Sequence, residues 1–453
     1  VRQVEKGETY ASALLDKHLS AIARANDQAL CTELVYGTLR WHGALKASIE
    51  RACERKTKID PAIWPHLLVA AYQLQHLSER IPTHAAVNEA VKAVKKIRPG
   101  LAGFANAILR RLGSPTHLLL KSENISAKDL ADAFFVPLQL CERICQLLPK
   151  AQWISAVAAM NDRPLLYMRR LTNEAEKSSI TTDTTHPILP KQLPWVPISA
   201  GMAAASDAPN PTEQHAFVPG AFRLTSPAPG SLEDMLRVLH AVVQDPGSQT
   251  VALLVDAQPG DVIVDMCAAP GTKSMVLKAA VGDKGQVIAC DISAERSKRI
   301  EQNADRLGLP VAVVVGDASK QNTLQALQNK ASRVLIDAPC SGLGTLRRHP
   351  ETRFREPSLE EHSEMQLKLL QAGALLVKKG GVLVYSVCTP MREEGEDVVA
   401  LFLKKHTDFK RKPVREVLSW LPESGLTPKG DLLLWPHLHD ADAFYAACLI
   451  RMT

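Results

Sequence analysis

The 453-residue sequence predicts a multidomain protein: an all-α N-terminal module, a small α+β connecting region and a C-terminal α/β domain built on a parallel sheet. Three observations predict it. Apolar residues recur at three- to four-residue spacing through the first third, with Pro61, Pro65, Pro82 and Pro99 as breakers. Beyond about residue 163 the texture shifts to Thr, Pro, Ser and Ala with few periodic runs. From about residue 244, short β-branched runs alternate with helical stretches, the pattern of a parallel sheet covered on both faces. The length holds roughly three domains of about 150 residues.

In the first module the spacing predicts helices over Tyr10–Ser20, Asp27–Trp41, Ile63–Leu77, His84–Ile97 and Gly103–Leu112. Helix is expected to continue through 114–150, with Leu118–Leu120 and Leu138–Leu148 as its apolar parts. PLLYMRRLTN after residue 163 reads as a strand, and 174–235 as a loop-rich α+β piece. Strands are expected at Val262–Val264, Val287–Ala289, Val311–Val315, Val334–Ile336 and Val382–Tyr385. Helices separate them at Lys273–Ala280, Ala294–Leu307, Leu324–Lys330 and His362–Lys379. Leu432–Leu434 and Ala443–Ile450 are expected to close the sheet as an antiparallel pair. The resulting boundaries are 1–148, 149–243 and 244–453.

With 54 basic against 48 acidic residues, 46% hydrophobic and 23% charged, this is ordinary globular composition, neither disordered throughout nor fibrous. No apolar run reaches the length of about 18 to 20 residues that a membrane span needs. The polar start VRQVEKGETY lacks the apolar core of a signal peptide. Nine scattered cysteines are no disulfide framework, so a cytoplasmic protein with reduced thiols is expected. The charge is uneven: residues 1–113 hold 17 basic and 10 acidic residues, a net of +7, against −1 for the remainder. A basic helical module suits a polyanion, since Lys and Arg displace counterions from phosphate. Charge alone supports a solvated helix surface equally.

Doubly wound sheets bind ligands beyond the carboxyl ends of their strands. The first parallel strand ends in Asp265 and runs into Met266-Cys267-Ala268-Ala269-Pro270-Gly271-Thr272-Lys273, a small-residue turn that feeds a helix and lets backbone approach a ligand. The next three strands end at Asp291, Asp317 and Asp337. One such Asp is commonly a helix N-cap. Four in succession point to an adenosine ligand, with Asp291 placed for ribose hydroxyls and Asp317 for the adenine amine. The G-x-G-x-x-G dinucleotide and G-x-x-x-x-G-K-[ST] nucleotide-triphosphate patterns are missing.

Two strand ends then carry thiols: Asp337-Ala338-Pro339-Cys340 and Ser386-Val387-Cys388-Thr389. If those strands pair they lie about 4.8 Å apart and bring both sulfurs to one rim. The alternative is that both are small buried hydrophobes. Paired thiols have a use in one methyl transfer. Cytosine C5 is a poor nucleophile until a thiolate adds to C6, and that thiol needs a setting that favours its ionised form. An acid near N3, for which Asp337 is suitably placed, takes up the ring charge. The D/N-P-P-Y/F loop expected for amino-group methylation is replaced here by Asp-Ala-Pro-Cys.

The runs DMCAAPGTK, ACD, GDAS, DAPCSGLGTLRRHPE and YSVCTPMREEGE resemble the RNA cytosine-5 methyltransferases that use S-adenosylmethionine, and QDPGSQTVALL resembles their lead-in motif. ELVYGTLRW, HAAVNEAVKAVKK and GFANAILRRL resemble the NusB-like RNA-binding domain fused to the bacterial 16S rRNA enzymes of the RsmB (Fmu/Sun) type. The resemblance covers about 1–148 and 236–453. It implies a NusB-like helical RNA-binding domain, a small α+β linker subdomain and a Rossmann-like methyltransferase domain with a seven-stranded sheet. It further implies Cys388 as nucleophile, Cys340 in product release and Asp337 at the cofactor–base junction. Cys267, Ala268, Ala269, Pro270, Gly271, Thr272 and Lys273 would form the cofactor loop, with Asp291 and Asp317 on the adenosine. The implied cofactor is S-adenosylmethionine, without a metal. The implied partner is 16S rRNA or an early small-subunit assembly intermediate, with the family's usual target cytosine 967. Neither DNA nor a membrane is implied, and a monomer is expected. A transfer-RNA cytosine-5 methyltransferase and a non-catalytic RNA-binding scaffold are the rival readings. Thr272 stands where a second Gly is usual, Val387 where Thr is common and Gly395 where Asn is usual.

Weaker signals remain. Arg347, Arg348 and His349 suit a phosphate grip or a solvated loop equally. Lys404, Lys405, Lys410, Arg411 and Lys412 read as a solvated charged face, and the Cys141-x3-Cys145 pair as core. Trp435, Pro436, His437 and Asp442 read as structural or cleft-lining.

Overall fold

The computed structural model describes residues 1–7, 9–53, 58–112, 125–171, 212–224 and 232–452. The chain divides into two compact units, Val1–Arg163 with Thr345–Pro357, and Pro164–Gly344 with Ser358–Thr453.

The first unit is helical. Its helices include Ala11–Leu19, Ala25–Arg40, His42–Ala52, Trp64–His76, Thr83–Ile97 and Ala102–Arg111, followed by Ala127–Phe134, Leu138–Leu147 and Trp153–Ala159. His42–Ala52 was not legible, because Trp41 alone separates it from its predecessor. Trp64–His76 buries Leu67, Leu68, Ala70, Ala71 and Tyr72 against Leu45, Ile49, Val87, Val94, Ala105 and Ile108. Lys95, Lys96, Arg110 and Arg111 close the last turns of two helices, where cations complement the exposed carbonyls. Thr345–Pro357, drawn from far along the chain, completes this unit. Phe354 packs on Val4, Ala11 and Leu39, and Arg353 Nη1 donates to Asn161 Oδ1 at 3.0 Å and to Arg40 O. Arg347 is buried here and its carbonyl accepts from Arg40 Nη2 at 2.9 Å, against the expectation of either a phosphate grip or a solvated loop. Cys141 is buried in its helix, where burial pushes its thiol up to about 12. Leu118–Leu120 lies outside the described residues.

The second unit holds two sheets. In the smaller, β1 (Tyr167–Arg170), β2 (Thr212–Gln214), β3 (Ala221–Leu224) and β4 (Ala241–Val243) run antiparallel in the order β2-β3-β1-β4. Met168, Phe222, Met235 and Ala241 form its core. Most of the expected α+β piece, 174–211 and 225–231, lies outside the described residues. The larger sheet contains β5 (Val262–Asp265), β6 (Gln286–Asp291), β7 (Ala312–Val315), β8 (Ala331–Asp337), β9 (Val377–Val387), β10 (Phe409–Lys412), β11 (Leu432–Leu433) and β12 (Tyr445–Arg451). Seven strands run in the order β10-β12-β9-β8-β5-β6-β7, and the short β11 adds an eighth on β12. Strands β5 to β9 are parallel, and β12 pairs antiparallel with β9, β10 and β11.

Three expectations are corrected. Leu324–Lys330 forms only a 3-10 turn, Gln325–Leu327, because so short a run cannot offset the cost of helix nucleation without a strong apolar face. The helix expected over His362–Lys379 is Leu359–Leu376, started by the Ser358 side-chain cap, and Val377–Lys379 already belong to β9. Lys410, Arg411 and Lys412 lie in β10, where Arg411 reaches buried Asp431 at 3.2 Å. The lead-in motif has a structural role: Asp245 caps Pro246–Leu254 through Gly247 N–H at 2.8 Å, and Gln249 Oε1 accepts from buried Arg169 of β1 at 2.9 Å.

Candidate functional site

The parallel strands bring their carboxyl ends to one rim. Asp265 closes β5, Asp291 closes β6, Asp337 closes β8 and Asp317 follows β7 by two residues. The turn after β5 is stitched to both neighbours, with Met266 N–H on Leu335 O and Ala268 N–H on Cys290 O, each 2.9 Å. Gly271 takes φ +98°, a left-handed conformation that favours glycine, and a Cβ there would come within 3.1 Å of Ile300. Thr272 opens the helix Thr272–Val281 behind it. Asp291 Oδ2 accepts from Ala269 N–H at 3.2 Å, and its Oδ1 from Ser293 N–H at 3.0 Å and Arg296 at 2.8 Å. Asp317 Oδ1 accepts from the Ser319 hydroxyl at 2.6 Å and N–H at 3.0 Å, which holds this carboxyl below its usual range. Asp265 is buried, and burial pushes its carboxyl up to about 6. Its Oδ2 accepts from Ser274 Oγ at 2.6 Å, while Oδ1 has no hydrogen-bond partner among the described residues.

Register sets the rest. β8 and β9 pair with Asp337 opposite Ser386, and Ser386 Oγ donates to Asp337 Oδ1 at 2.7 Å. Lys273 Nζ lies 2.6 Å from Asp337 Oδ2 and 5.7 Å from the Phe444 ring centroid. Burial pulls the Lys273 ammonium down, but Asp337 outweighs it and holds the pKa above its ordinary value. Just past these residues, Cys340 Sγ and Cys388 Sγ stand 3.3 Å apart. The contact with Cys388, then burial, raises the Cys340 thiol well above its ordinary range; burial also raises Cys267. Lys273, Asp337, Cys340 and Cys388 are therefore one cluster. Val387, one of the departures from the family pattern, is buried between Ser386 and Cys388.

Polar groups supporting that cluster were not legible as a set. Glu394 is fully buried and accepts from Ser341 and Gln366, residues 53 and 28 positions away. The only local signal was that Ser341 and Thr389 each follow a thiol and that Glu394 lies in the EEGE run. Gly395 has a physical reason for departing from Asn: a Cβ there would lie 2.9 Å from the Tyr445 ring.

Residues 252–450 match the family described as 16S rRNA methyltransferase RsmB/F, and residues 1–114 match the NusB family. The ribosomal RNA small subunit methyltransferase B of Yersinia pestis bv. Antiqua (strain Angola) is 31% identical over 456 residues, spanning 99% of this chain and 96% of the relative. The chain belongs to the RsmB/F family of 16S rRNA methyltransferases. The protein of the same description from Yersinia pseudotuberculosis serotype O:1b (strain IP 31758) is likewise 31% identical, again over 99% of this chain. Among solved structures, PH0851 matches with a TM-score of 0.70 at 23% identity, over 99% of this chain and 96% of that one. NSun6 from Pyrococcus horikoshii with SFG matches with a TM-score of 0.51 at 21% identity, over 70% of this chain and 99% of that one. These likenesses are of fold alone; the chain itself carries a NusB helical domain and a Rossmann-like methyltransferase domain.

The RsmB/F family is S-adenosylmethionine-dependent, and the rim fits that cofactor. Acceptor groups suit its hydroxyls, amines and positive charge, the unpartnered Asp265 Oδ1 offers a buried acceptor, and the turn at Gly271 leaves backbone bare. Among the described residues no helix is long and apolar enough to cross a membrane.

Proposed function

We propose that this chain methylates C5 of a cytosine in 16S rRNA, the family's usual target being cytosine 967, through a Cys388 adduct at C6. The observation that carries the reading is the 3.3 Å approach of two thiols beside the Lys273–Asp337 pair. Amino-group or ribose methylation has no use for two sulfurs.

S-Adenosylmethionine, when bound, supplies the electrophilic methyl group. Cys267 to Lys273, with Asp291, Asp317 and Asp337, are the residues assigned to hold it. Cys388 is assigned the thiolate role. That thiolate adds to C6 and moves the C5=C6 electrons to C5, which would take the methyl the cofactor supplies, the S–CH3 bonding pair staying on the cofactor's sulfur. Asp337, hydrogen-bonded to Lys273 and Ser386, is assigned to hold a proton at N3 during addition. In the final step a base takes the C5 proton, and Cys340 is assigned to this release step. The C–H electron pair closes C5=C6 and Cys388 leaves with the electrons of its S–C6 bond. Residues 1–148 are assigned to RNA binding through their basic helices, 149–243 to the connection and 244–453 to catalysis. The target base must leave its stack to admit sulfur to C6, so unpaired RNA, free or in an early assembly intermediate, is the expected substrate.

Tritiated-methyl transfer onto protein-free 16S RNA tests this reading, with Cys388→Ala and Cys340→Ser alongside. Label is expected in 5-methylcytosine, lost with Cys388→Ala, and a covalent RNA adduct is expected to accumulate with Cys340→Ser. Label confined to transfer RNA would favour that substrate instead. Tight RNA binding without transfer to 16S RNA, transfer RNA or assembled subunits would leave a non-catalytic scaffold.

A further inference from the structure

Cys340 sits between two backbone groups tied to different elements. Before it, Pro339 O accepts from Gln366 Nε2 at 3.0 Å. After it, Ser341 N–H donates to Glu394 Oε1 at 2.8 Å. The same Gln366 amide also reaches Glu394 Oε1 at 3.1 Å, so one clamp closes both sides of the thiol. Ser341 Oγ donates to Glu394 Oε2 at 2.5 Å and stands 3.2 Å from Thr389 Oγ1, on the residue that follows Cys388. Gln366 comes from the helix Leu359–Leu376, and Glu394 lies just ahead of Glu396–Lys405. Both side chains are fully buried, at 0% exposure.

A carboxylate only accepts, and here it faces donors from Ser341 N–H, Ser341 Oγ and Gln366 Nε2. Networks of this kind, buried and satisfied at the carboxylate, rigidify what they join. We propose that Glu394 is a positioning residue that holds Cys340 within reach of the C5 proton, and so sets the rate of product release. This rests on the thiolate reading above. Addition of Cys388 to C6 does not use Cys340, whereas proton removal and elimination do. Loss of the clamp therefore separates the two steps.

The full-length protein is used with two readouts. The first is independent of catalysis: oxidised glutathione converts the two thiols to a Cys340–Cys388 disulfide with release of two reduced glutathiones, followed by peptide mass spectrometry. Glu394→Ala is expected to slow this crosslink about tenfold, since displacements near 1 Å carry effects of that order or more. Glu394→Gln is expected to recover much of the rate, because its amide oxygen still accepts from Ser341 N–H and Gln366 while its NH2 faces Ser341 Oγ. The second readout is single turnover with S-adenosylmethionine and 16S RNA. Methylated covalent adduct is expected to build up with Glu394→Ala while adduct formation keeps its rate. If Glu394→Ala does not fold, Ser341→Ala, which removes only the hydroxyl, decides in its place. Crosslinking at the wild-type rate in a folded Glu394→Ala or Ser341→Ala variant overturns the proposal, as does loss of adduct formation and product release in equal measure. Slowed crosslinking with no methyl transfer by the wild type would sink the thiolate reading and leave Glu394 only as a clamp on Cys340.

Discussion

Asp265 shows how one residue at this rim trades stability for site chemistry. Its carboxyl, buried beside Ser274, has its pKa raised from 3.8 to about 6. The folded state thus binds this proton more tightly than the unfolded chain. The contribution to stability is full below about pH 4 and is lost as the pH rises through about 6, a loss of about 3 kcal/mol. Asp265→Asn keeps an acceptor for Ser274 and cannot ionise. Thermal unfolding from pH 4 to 7 is expected to show the variant gaining on the wild type as pH rises, by roughly that amount. A difference that stays constant with pH would contradict it. The three departures from the family pattern act at this scale too. Gly395 avoids the Tyr445 ring, Val387 is buried beside the nucleophile candidate, and Thr272 is accommodated as the first helical residue after Gly271.

At the scale of elements, the site depends on where the loop after β8 meets the end of β9 and the approach to β12. Gly344 N–H donates to Cys388 O at 3.0 Å, and Ala443 N–H donates to Gly344 O at 3.0 Å. A Cβ at Gly344 would lie 2.1 Å from Ala443 O and 2.8 Å from Cys388 O. Backbone cannot yield as a flexible side chain does. Gly344→Ala is expected to cost about 1–3 kcal/mol in urea unfolding. It should also lower methyl transfer by about 100-fold, because the shift falls on the backbone that carries Cys388. A variant with the wild-type midpoint and turnover would show that the junction tolerates the methyl group.

At the scale of the whole molecule, the chain leaves its helical unit at Arg163 and supplies Thr345–Pro357 back to it, beginning five residues past Cys340. A fragment ending at 163 lacks Phe354 over Val4, Ala11 and Leu39, and lacks the Arg353 bonds to Arg40 and Asn161. Fragment 1–163 is expected to melt below the matching transition of the full chain. A 345–357 peptide added in trans should raise that melting temperature, and at about 100 times its Kd should add about 2.7 kcal/mol. The same peptide with Phe354→Ala should not. Equal effects of the two peptides would show that the segment does not complete this core.

The order of a helical domain before a sheet domain was readable along the chain, and so were the residue types at the rim. Helical periodicity, β-branched runs and four strand-end carboxylates are local signals, each contained within about ten to twenty residues. Cys340 and Cys388 were legible as a pair because each follows a strand end, and parallel pairing sets such ends side by side. What surrounds them is set by long-range packing. Glu394 reaches Ser341 across 53 residues and Gln366 reaches Pro339 across 27, β10 emerges from a run of charges, and the loop beyond Cys340 completes a helical core that begins at residue 1. Those contacts carry no periodicity, because long-range partners are chosen by packing and by the need to satisfy buried polar groups, and neither leaves a pattern along the chain.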